Sequence, residues 1–267
     1  MKCIYCPNDA AQDTNVNHLV PYAAGNANKY RRILGELVLP PGLSCSRCNA
    51  YFGSHSDQDL ANFPYVLQWR AVYGMVGRGS AAVYDDGRVR IETTPSGVVI
   101  IGGPGAELDR RGNLQVPRPS LGDVDHFRVS QAVHRVALEY ELLEIAKARG
   151  VEAARRTASV APLAKIVRYV RDGQRTQYRP YGVEGQGATR VNVAPFKWAA
   201  DPTGRLVGPP PFSGCIICLP GARFSCTLAD DPSLLRNMLT LIEQTEGAPY
   251  LTTRRVFWSR RSAGLVA

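Results

Sequence analysis

The sequence predicts an α+β protein, and three observations carry that prediction. Short alternating runs between positions 83 and 101 are separated by Asp86-Gly87 and Pro95-Ser96-Gly97, a strong signal for antiparallel hairpins. From Asp125 to Arg149 apolar residues recur at helical spacing, and Gly150 provides the stop. Two Cys-x-x-Cys pairs stand near the start of the chain. We therefore expect a metal-stapled N-terminal part followed by a mixed helical and antiparallel-β region.

The paired cysteines predict a structural zinc site. Cys3 and Cys6 form the first pair, Cys45 and Cys48 form the second, and 38 residues separate the two pairs. Each pair supplies two thiolates from one tight turn, which together make the tetrahedral four-thiolate site that zinc prefers. Because sulfur would take all four positions, such a zinc holds the fold together and leaves no position for a reacting water.

The residues around these pairs resemble a known enzyme superfamily. Asn17-His18-Leu19-Val20-Pro21 lies between the pairs, and the second pair continues as Cys48-Asn49, with Gly53 and Asp57 downstream. In this combination residues 3–57 resemble the HNH, or ββα-metal, nucleases, in particular the bacterial zinc-knuckle proteins and the recombination endonuclease VII group. The resemblance implies a ββα-metal nuclease module over residues 1–70. We expect residues 71–267 to bind nucleic acid, with strands at 80–101, helices at 125–172, and strands and a helix at 175–267.

The resemblance also implies roles for single residues. His18 takes the position of the general base, which accepts a proton from the attacking water. Asn17 stands where the family usually has an Asp that binds the catalytic ion, Mg²⁺ or Mn²⁺. Being uncharged, an amide oxygen there should bind the ion more weakly. Asn49 matches a second metal ligand or a residue that fixes the base, and Asp57 matches a carboxylate near the metal in some members.

Elementary chemistry is consistent with such a site. Hydrolysis of a phosphodiester needs a base that titrates near neutral pH, as histidine does, and a cation against the charge that develops on phosphate. A helix starting near Cys48 would also direct its N-terminal amides at an anion. On an unbroken helix Gly53 lies about 40° from Asn49, whereas His55 lies about 120° away. Gly53 would let a nucleic-acid backbone approach closely, and we expect His55 to be solvent-exposed or a DNA contact.

The formal net charge of +9 is concentrated downstream of the cysteine pairs. Residues 1–60 carry five basic and five acidic residues, whereas residues 149–190 carry nine basic and three acidic ones. This asymmetry is typical of a chain that binds a polyanion, although arginine-rich surfaces also serve solubility. DNA is the expected partner, with RNA as an alternative. The candidate nucleic-acid contacts are Arg31, Arg32, Arg47, Lys165, Arg168 and Arg171.

Composition is that of a soluble globular protein, with 45% hydrophobic and 21% charged residues among 267. No apolar run approaches the ~18 residues of a membrane span and no signal peptide precedes Cys3, so we expect no membrane partner and a cytoplasmic location. Cys215, Cys218 and Cys226 lie in apolar runs without a fourth ligand beside them. Buried thiols in a sheet are therefore favoured over a second zinc site.

Together these features predict a metal-dependent endonuclease that hydrolyses phosphodiester bonds in DNA. Two alternatives are a non-catalytic, zinc-stabilised nucleic-acid-binding protein and a subunit of a defence or mobile-element assembly that docks protein partners. The sequence specifies neither the structure of the substrate nor whether two copies form a homodimer that cuts both strands.

Overall fold

The computed structural model describes residues 2–10, 17–21, 24, 37–75, 82–94, 96, 98–108, 110, 114–115, 117–185, 192–196 and 214–229. Among these residues, the N-terminal part shows a short strand pair and three helices: β1 (Asn17–His18), β2 (Val38–Leu39), α1 (Ser46–His55), α2 (Asp57–Ala61) and α3 (Pro64–Val72). The two strands are antiparallel, with Asn17 opposite Leu39 and His18 opposite Val38. A helix near Cys48 was expected from the sequence and is present.

Proline fixes where α3 begins. Pro64 occupies the first turn of the helix, where its missing N–H is tolerated, and Phe63 before it is extended, as the residue before a proline prefers. The Phe63 ring is fully buried and packs edge-on against Phe224, with the ring centroids 5.0 Å apart. The break between α2 and α3 therefore anchors the N-terminal helices to a strand near the other end of the described chain.

Three strands form an antiparallel meander: β3 (Val83–Asp85), β4 (Arg90–Thr93) and β5 (Val99–Gly102). The predicted Asp-Gly turn joins the first two. The Asp86 carboxylate accepts from the backbone amides of Arg88 and Val89, and Gly87 has a φ of 76°. The hairpin prediction is therefore confirmed. A second antiparallel pair follows, β6 (Glu107–Leu108) with β7 (Leu114–Gln115).

The longest described helix is α4 (His126–Arg149), and it is a core helix. The Asp125 side chain caps it by accepting from two backbone amides of its first turn, and Gly150, at a φ of 84°, ends it. The helix predicted for this region is thus confirmed. Nearly every side chain between Val129 and Leu143 is buried, so the helix is covered on more than one face. The helices α5 (Val151–Ala158) and α6 (Leu163–Asp172) pack against it.

The C-terminal part of the described chain forms the strands β8 (Gly182–Gly185), β9 (Asn192–Phe196), β10 (Gly214–Leu219) and β11 (Ala222–Cys226). They make a four-stranded antiparallel sheet in the order β8-β11-β10-β9, against which α4 packs.

Cys215 and Cys226 lie opposite each other on neighbouring strands of this sheet. Both are buried, and burial raises the pKa of Cys226 to about 12. The prediction of buried thiols is confirmed for this pair, while Cys218 is half-buried.

A single apolar cluster extends from Cys3 to Leu228 and includes residues on both sides of position 70. The division of the chain at that position stays a prediction about sequence modules, since the two parts share this core. The helix predicted after residue 230 lies outside the described residues. Within the described part of the chain, no helix combines the length and the apolar character needed to cross a bilayer.

Candidate functional site

The four N-terminal cysteines lie together. The Sγ atoms of Cys3, Cys6, Cys45 and Cys48 are all within 4.8 Å of one another, and those of Cys6 and Cys45 are 3.6 Å apart. A tetrahedral zinc with Zn–S bonds of about 2.3 Å requires sulfur atoms about 3.8 Å apart. The cluster therefore has the size of a four-thiolate zinc site and could bind zinc. Among the described residues it is the one group of three or more histidine, cysteine or acidic side chains that could hold a metal ion.

The backbone around the cluster stabilises negative charge on the sulfur atoms. The amides of Tyr5 and Cys45 each donate to Cys3 Sγ at 3.4 Å. Cys45 is the N-cap of α1 and Cys48 lies in its first turn, so the positive end of the helix dipole lies beside these two thiols. Burial and then the crowding of sulfur atoms raise the pKa of Cys48, so a bound cation would be needed to hold the thiolates together. The residues present fit zinc.

His18 lies on β1, the strand that follows the first cysteine pair. It is half-buried, whereas Asn17 before it and Leu19 after it are buried. The Leu19 amide donates to the Leu37 carbonyl at 3.1 Å, which extends the pairing between the two strands by one residue. The residues that flank His18 are thus fixed in the core, while His18 itself is half-buried and its Nδ1 atom is buried.

A buried ion-pair network, formed by Asp57, Arg135 and Glu139, lies beside this strand. The side chains of Arg135 and Glu139 are fully buried, and Arg135 Nη1 is 3.2 Å from Glu139 Oε2. Arg135 Nη2 is 2.9 Å from Asp57 Oδ1 and donates to the Leu19 carbonyl at 3.2 Å. The other Glu139 oxygen, Oε1, accepts from the Tyr5 hydroxyl at 3.0 Å and from Asn17 Nδ2 at 3.5 Å. The network therefore connects the first cysteine turn, the His18 strand, α2 and α4.

The charges of this network do not balance when both acids are ionised. Two carboxylates share one guanidinium, and burial raises the pKa of both Asp57 and Glu139 although the charge of Arg135 lowers it. Burial also lowers the pKa of Arg135, but the two carboxylates outweigh this effect and the net shift is upward. The guanidinium stacks over the Phe52 ring at 5.3 Å. The negative excess makes this part of the core favourable for a cation or a proton.

Asn17 was expected to bind the catalytic ion, and its orientation is compatible with that in one respect. Its side chain is turned so that Nδ2 donates to Glu139, which leaves Oδ1 pointing away from the carboxylate. Oδ1 is buried and has no hydrogen-bond partner among the described residues. An unsatisfied buried acceptor is costly, and a cation contact would satisfy it. The residue itself is only 4% exposed.

Asp57 forms an ion pair with Arg135 that was not predicted from the sequence. It was expected near the catalytic ion, but its carboxylate is ion-paired with Arg135 and buried. The helical hydrogen bonding is also interrupted at Ser56, so Asp57 begins a separate helix. Asn49 is half-buried, and its backbone amide donates to the Cys45 carbonyl in the first turn of α1.

Two side chains stack against Tyr51 on the exposed face of α1. The Tyr51 ring has the Arg171 guanidinium 3.9 Å from its centroid and the His55 ring stacked at 4.0 Å. Both distances are contact distances, so both partners pack against the tyrosine ring. His55 is exposed, as expected, and Gly53 beside it is exposed with no atom within 4 Å of the position a Cβ would take.

The predicted nucleic-acid contacts divide into three groups. Lys165 and Arg168 are exposed on α6, and Arg47 is exposed on α1. Arg171 is half-buried and held by Tyr51, whose hydroxyl donates to the Arg171 carbonyl at 3.3 Å. This contact brings the end of α6 to the side of α1. Arg31 and Arg32 lie outside the described residues.

Sequence reasoning missed Arg135 and Glu139. Their signal is an Arg-Glu pair at i,i+4 on a helical face that also carries Leu138 and Leu142. A charged pair between leucines on the same face indicates burial, but the same spacing is common on solvent-exposed helices.

Comparisons of the chain with protein-family models, with curated proteins and with solved structures find no match.

Proposed function

We propose that this protein is a metal-dependent DNA endonuclease of the HNH type, with His18 as general base. The proposal rests on one arrangement, an antiparallel strand pair carrying His18 that is followed by a helix carrying Asn49, with the four-cysteine cluster joining the two. This order of elements agrees with the ββα module that the sequence motifs resemble. In this proposal the cysteine cluster binds a structural zinc.

The residues of the proposed site divide the chemistry as follows. His18 accepts the proton of the attacking water, because histidine is the side chain that most often acts as a general base. Asn17 and Asn49 would hold the divalent ion, Mg²⁺ or Mn²⁺, by their amide oxygens, with phosphate oxygens and water completing its coordination. Such an ion supplies positive charge against the charge that develops on the scissile phosphate. The expected contact of Asp57 with this ion stays a prediction, because its Oδ1 atom lies 2.9 Å from Arg135 Nη2.

The exposed cations fit a polyanionic substrate. Arg47 lies on the same helix as Asn49, and Lys165 and Arg168 lie on α6, which meets that helix through Arg171 and Tyr51. Cations at such positions would hold the phosphate backbone without reading the sequence. RNA binding and assembly of two copies remain alternatives within the same proposal.

The experiment is cleavage of supercoiled plasmid with Mg²⁺, Mn²⁺ or EDTA, with the zinc content of each protein measured in parallel. We expect the wild type to nick the plasmid with metal, and His18→Ala to reduce the rate by about 10²–10⁴-fold while retaining zinc. Asn49→Ala should also lose activity. His55→Ala, a histidine on the exposed stack, serves as the matched control and should keep most of it. Equal activity in His18→Ala and wild type would overturn the proposal.

A second candidate is a non-catalytic, zinc-stabilised nucleic-acid-binding protein. The identity of residue 17 favours this candidate. Asn17 lacks the charge of an Asp, and its amide nitrogen donates a hydrogen bond to the buried Glu139. In that case the wild type would bind DNA in a salt-dependent manner and cut nothing with either ion. An Asn17→Asp variant that acquires cleavage would identify a lost metal ligand, whereas a silent variant would favour the binding protein.

A further inference from the structure

We propose that Arg135 and Glu139 of α4 are the positioning residues for His18, holding the backbone of the residue after it and the side chain of the residue before it. This inference rests on the proposed function, because it assigns these two residues to the same site. It concerns a pair of buried side chains 116 and 122 positions downstream of the strand residues that they contact. Neither of them touches the substrate in this proposal.

The contacts are made to the residues immediately before and after His18. Arg135 Nη2 donates to the Leu19 carbonyl at 3.2 Å, and Glu139 Oε1 accepts from the Asn17 side chain at 3.5 Å. Arg135 and Glu139 are themselves ion-paired at 3.2 Å, which couples the contact to Leu19 with the contact to Asn17. A base must be placed within a few tenths of an ångström to accept a proton from a bound water, and a rigid anchor on each side restricts its strand in that way.

The same side chains add to the backbone pairing of the strand. Within the described residues the ladder of β1 with β2 has two residue pairs, and the Leu19 amide adds one hydrogen bond to the Leu37 carbonyl. The buried side chains of α4 contribute long-range contacts beyond this pairing.

A second set of contacts ties the same pair to the cysteine cluster and to α2. Tyr5, which lies between Cys3 and Cys6, donates its hydroxyl to Glu139 Oε1 at 3.0 Å, and Asp57 lies 2.9 Å from Arg135 Nη2. The Tyr5 ring also packs on Phe52 of α1, with centroids 4.7 Å apart. Arg135 and Glu139 thus hold the His18 strand in register with both the cysteine cluster and the helix that carries Asn49.

The chemistry of Glu139 makes a sharp test available. A carboxylate accepts at both oxygens, one facing Arg135 and the other facing Tyr5 and Asn17. An amide has one accepting end and one donating end. Glu139→Gln therefore keeps the size of the side chain but removes its charge, and its two ends cannot both accept from Arg135 and from Tyr5 and Asn17 in their present orientation. Tyr5→Phe is a milder second variant, since it removes one hydroxyl. Glu144→Gln is the matched control, because Glu144 lies on the same helix in an exposed ion pair with Lys147.

Two measurements on the zinc-loaded full-length protein decide the matter. The first is amide hydrogen exchange at Leu19, whose N–H donates to the Leu37 carbonyl, compared with Ile217 in β10. The second is the single-turnover cleavage rate together with the DNA affinity. For Glu139→Gln we expect faster exchange at Leu19 with no change at Ile217. We also expect a cleavage rate lower by about tenfold or more, with an unchanged Kd for DNA. Glu144→Gln should match the wild type in every readout.

A merely structural role predicts a different result, in which exchange accelerates at Leu19 and Ile217 alike and the cleavage rate of the folded fraction is unchanged. That result overturns the proposal, as does wild-type exchange at Leu19 in both Glu139→Gln and Tyr5→Phe. If the wild type cleaves no DNA, the endonuclease proposal fails whatever the exchange shows. If the wild type cleaves and Leu19 exchange does not respond, the endonuclease proposal stands and the positioning role fails.

Discussion

Replacing Gly53 by alanine should make the protein more stable and less active. Gly53 lies inside α1, where glycine is unfavourable because it loses the most backbone freedom on folding. An added Cβ would meet no atom within 4 Å, and the described backbone at this position is not in the left-handed region that favours glycine. The fold therefore does not require a glycine at this position.

The magnitude follows from helix propensity. Alanine is better than glycine in a helix interior by about 0.5–1 kcal/mol. For a protein of this size 1 kcal/mol corresponds to about 2–4 °C, so we expect the melting temperature of Gly53→Ala to rise by about 1–4 °C. If the nucleic-acid backbone passes over this exposed face, the added methyl displaces it by up to about 1 Å and should slow cleavage by about 10–100-fold.

The assay is thermal unfolding followed by plasmid nicking and DNA binding on the same preparations. Ser54→Ala is the matched control, since Ser54 is exposed on the same helix about 140° from Asn49 and alanine also improves its propensity. It should gain stability and keep its activity. A melting temperature of Gly53→Ala at or below that of the wild type would refute the stability argument. A wild-type cleavage rate would refute the view that this face receives DNA.

Three further outcomes follow from the structure. Removal of zinc by a strong chelator should lower the melting temperature, and Cys48→Ser should show that low value without chelator, as checked by metal analysis and thermal unfolding. The double variant Lys165→Ala/Arg168→Ala should bind DNA more weakly, with a slope of log K against log salt reduced by about 1.8 in a fluorescence titration. Burial, and then the charge of Arg179, lower the pKa of His134 to about 3. The stability that depends on neutral His134 is therefore complete above about pH 6.5 and is lost as the pH falls towards 3, by up to about 1.4 kcal/mol per pH unit. Urea unfolding at pH 7 and pH 4.5 should show a smaller loss for His134→Gln than for the wild type.

The elements that could be predicted from the sequence are those with local signals. The hairpin at Asp86-Gly87 and the helix capped by Asp125 and ended by Gly150 carry their boundary residues within a few positions, so short-range chemistry decides them. The cysteine cluster was predictable for the same reason, since each tight turn presents two thiols by itself.

The parts that could not be predicted depend on contacts between distant residues. The resemblance implied a place near the catalytic ion for Asp57, but its carboxylate is ion-paired in the core with Arg135, 78 positions downstream. Nothing in the local sequence around Asp57 distinguishes a metal ligand from half of an ion pair. The strands β6 and β7 could not be predicted for a different reason. Each has two residues, which are too few to show an alternating pattern.

The location of the buried ion-pair network limits what can be separated from this chain. A fragment ending at residue 70 would retain Tyr5, Asn17 and Asp57 but would leave the guanidinium and the carboxylate that satisfy them on the other piece. An uncompensated buried carboxylate and an apolar surface open to water would both disfavour its folding. The cysteine-containing unit therefore depends on α4 for its folding. It could not be transplanted to another protein, or replaced by a relative's equivalent, without a matching helix that carries an arginine and a glutamate one turn apart.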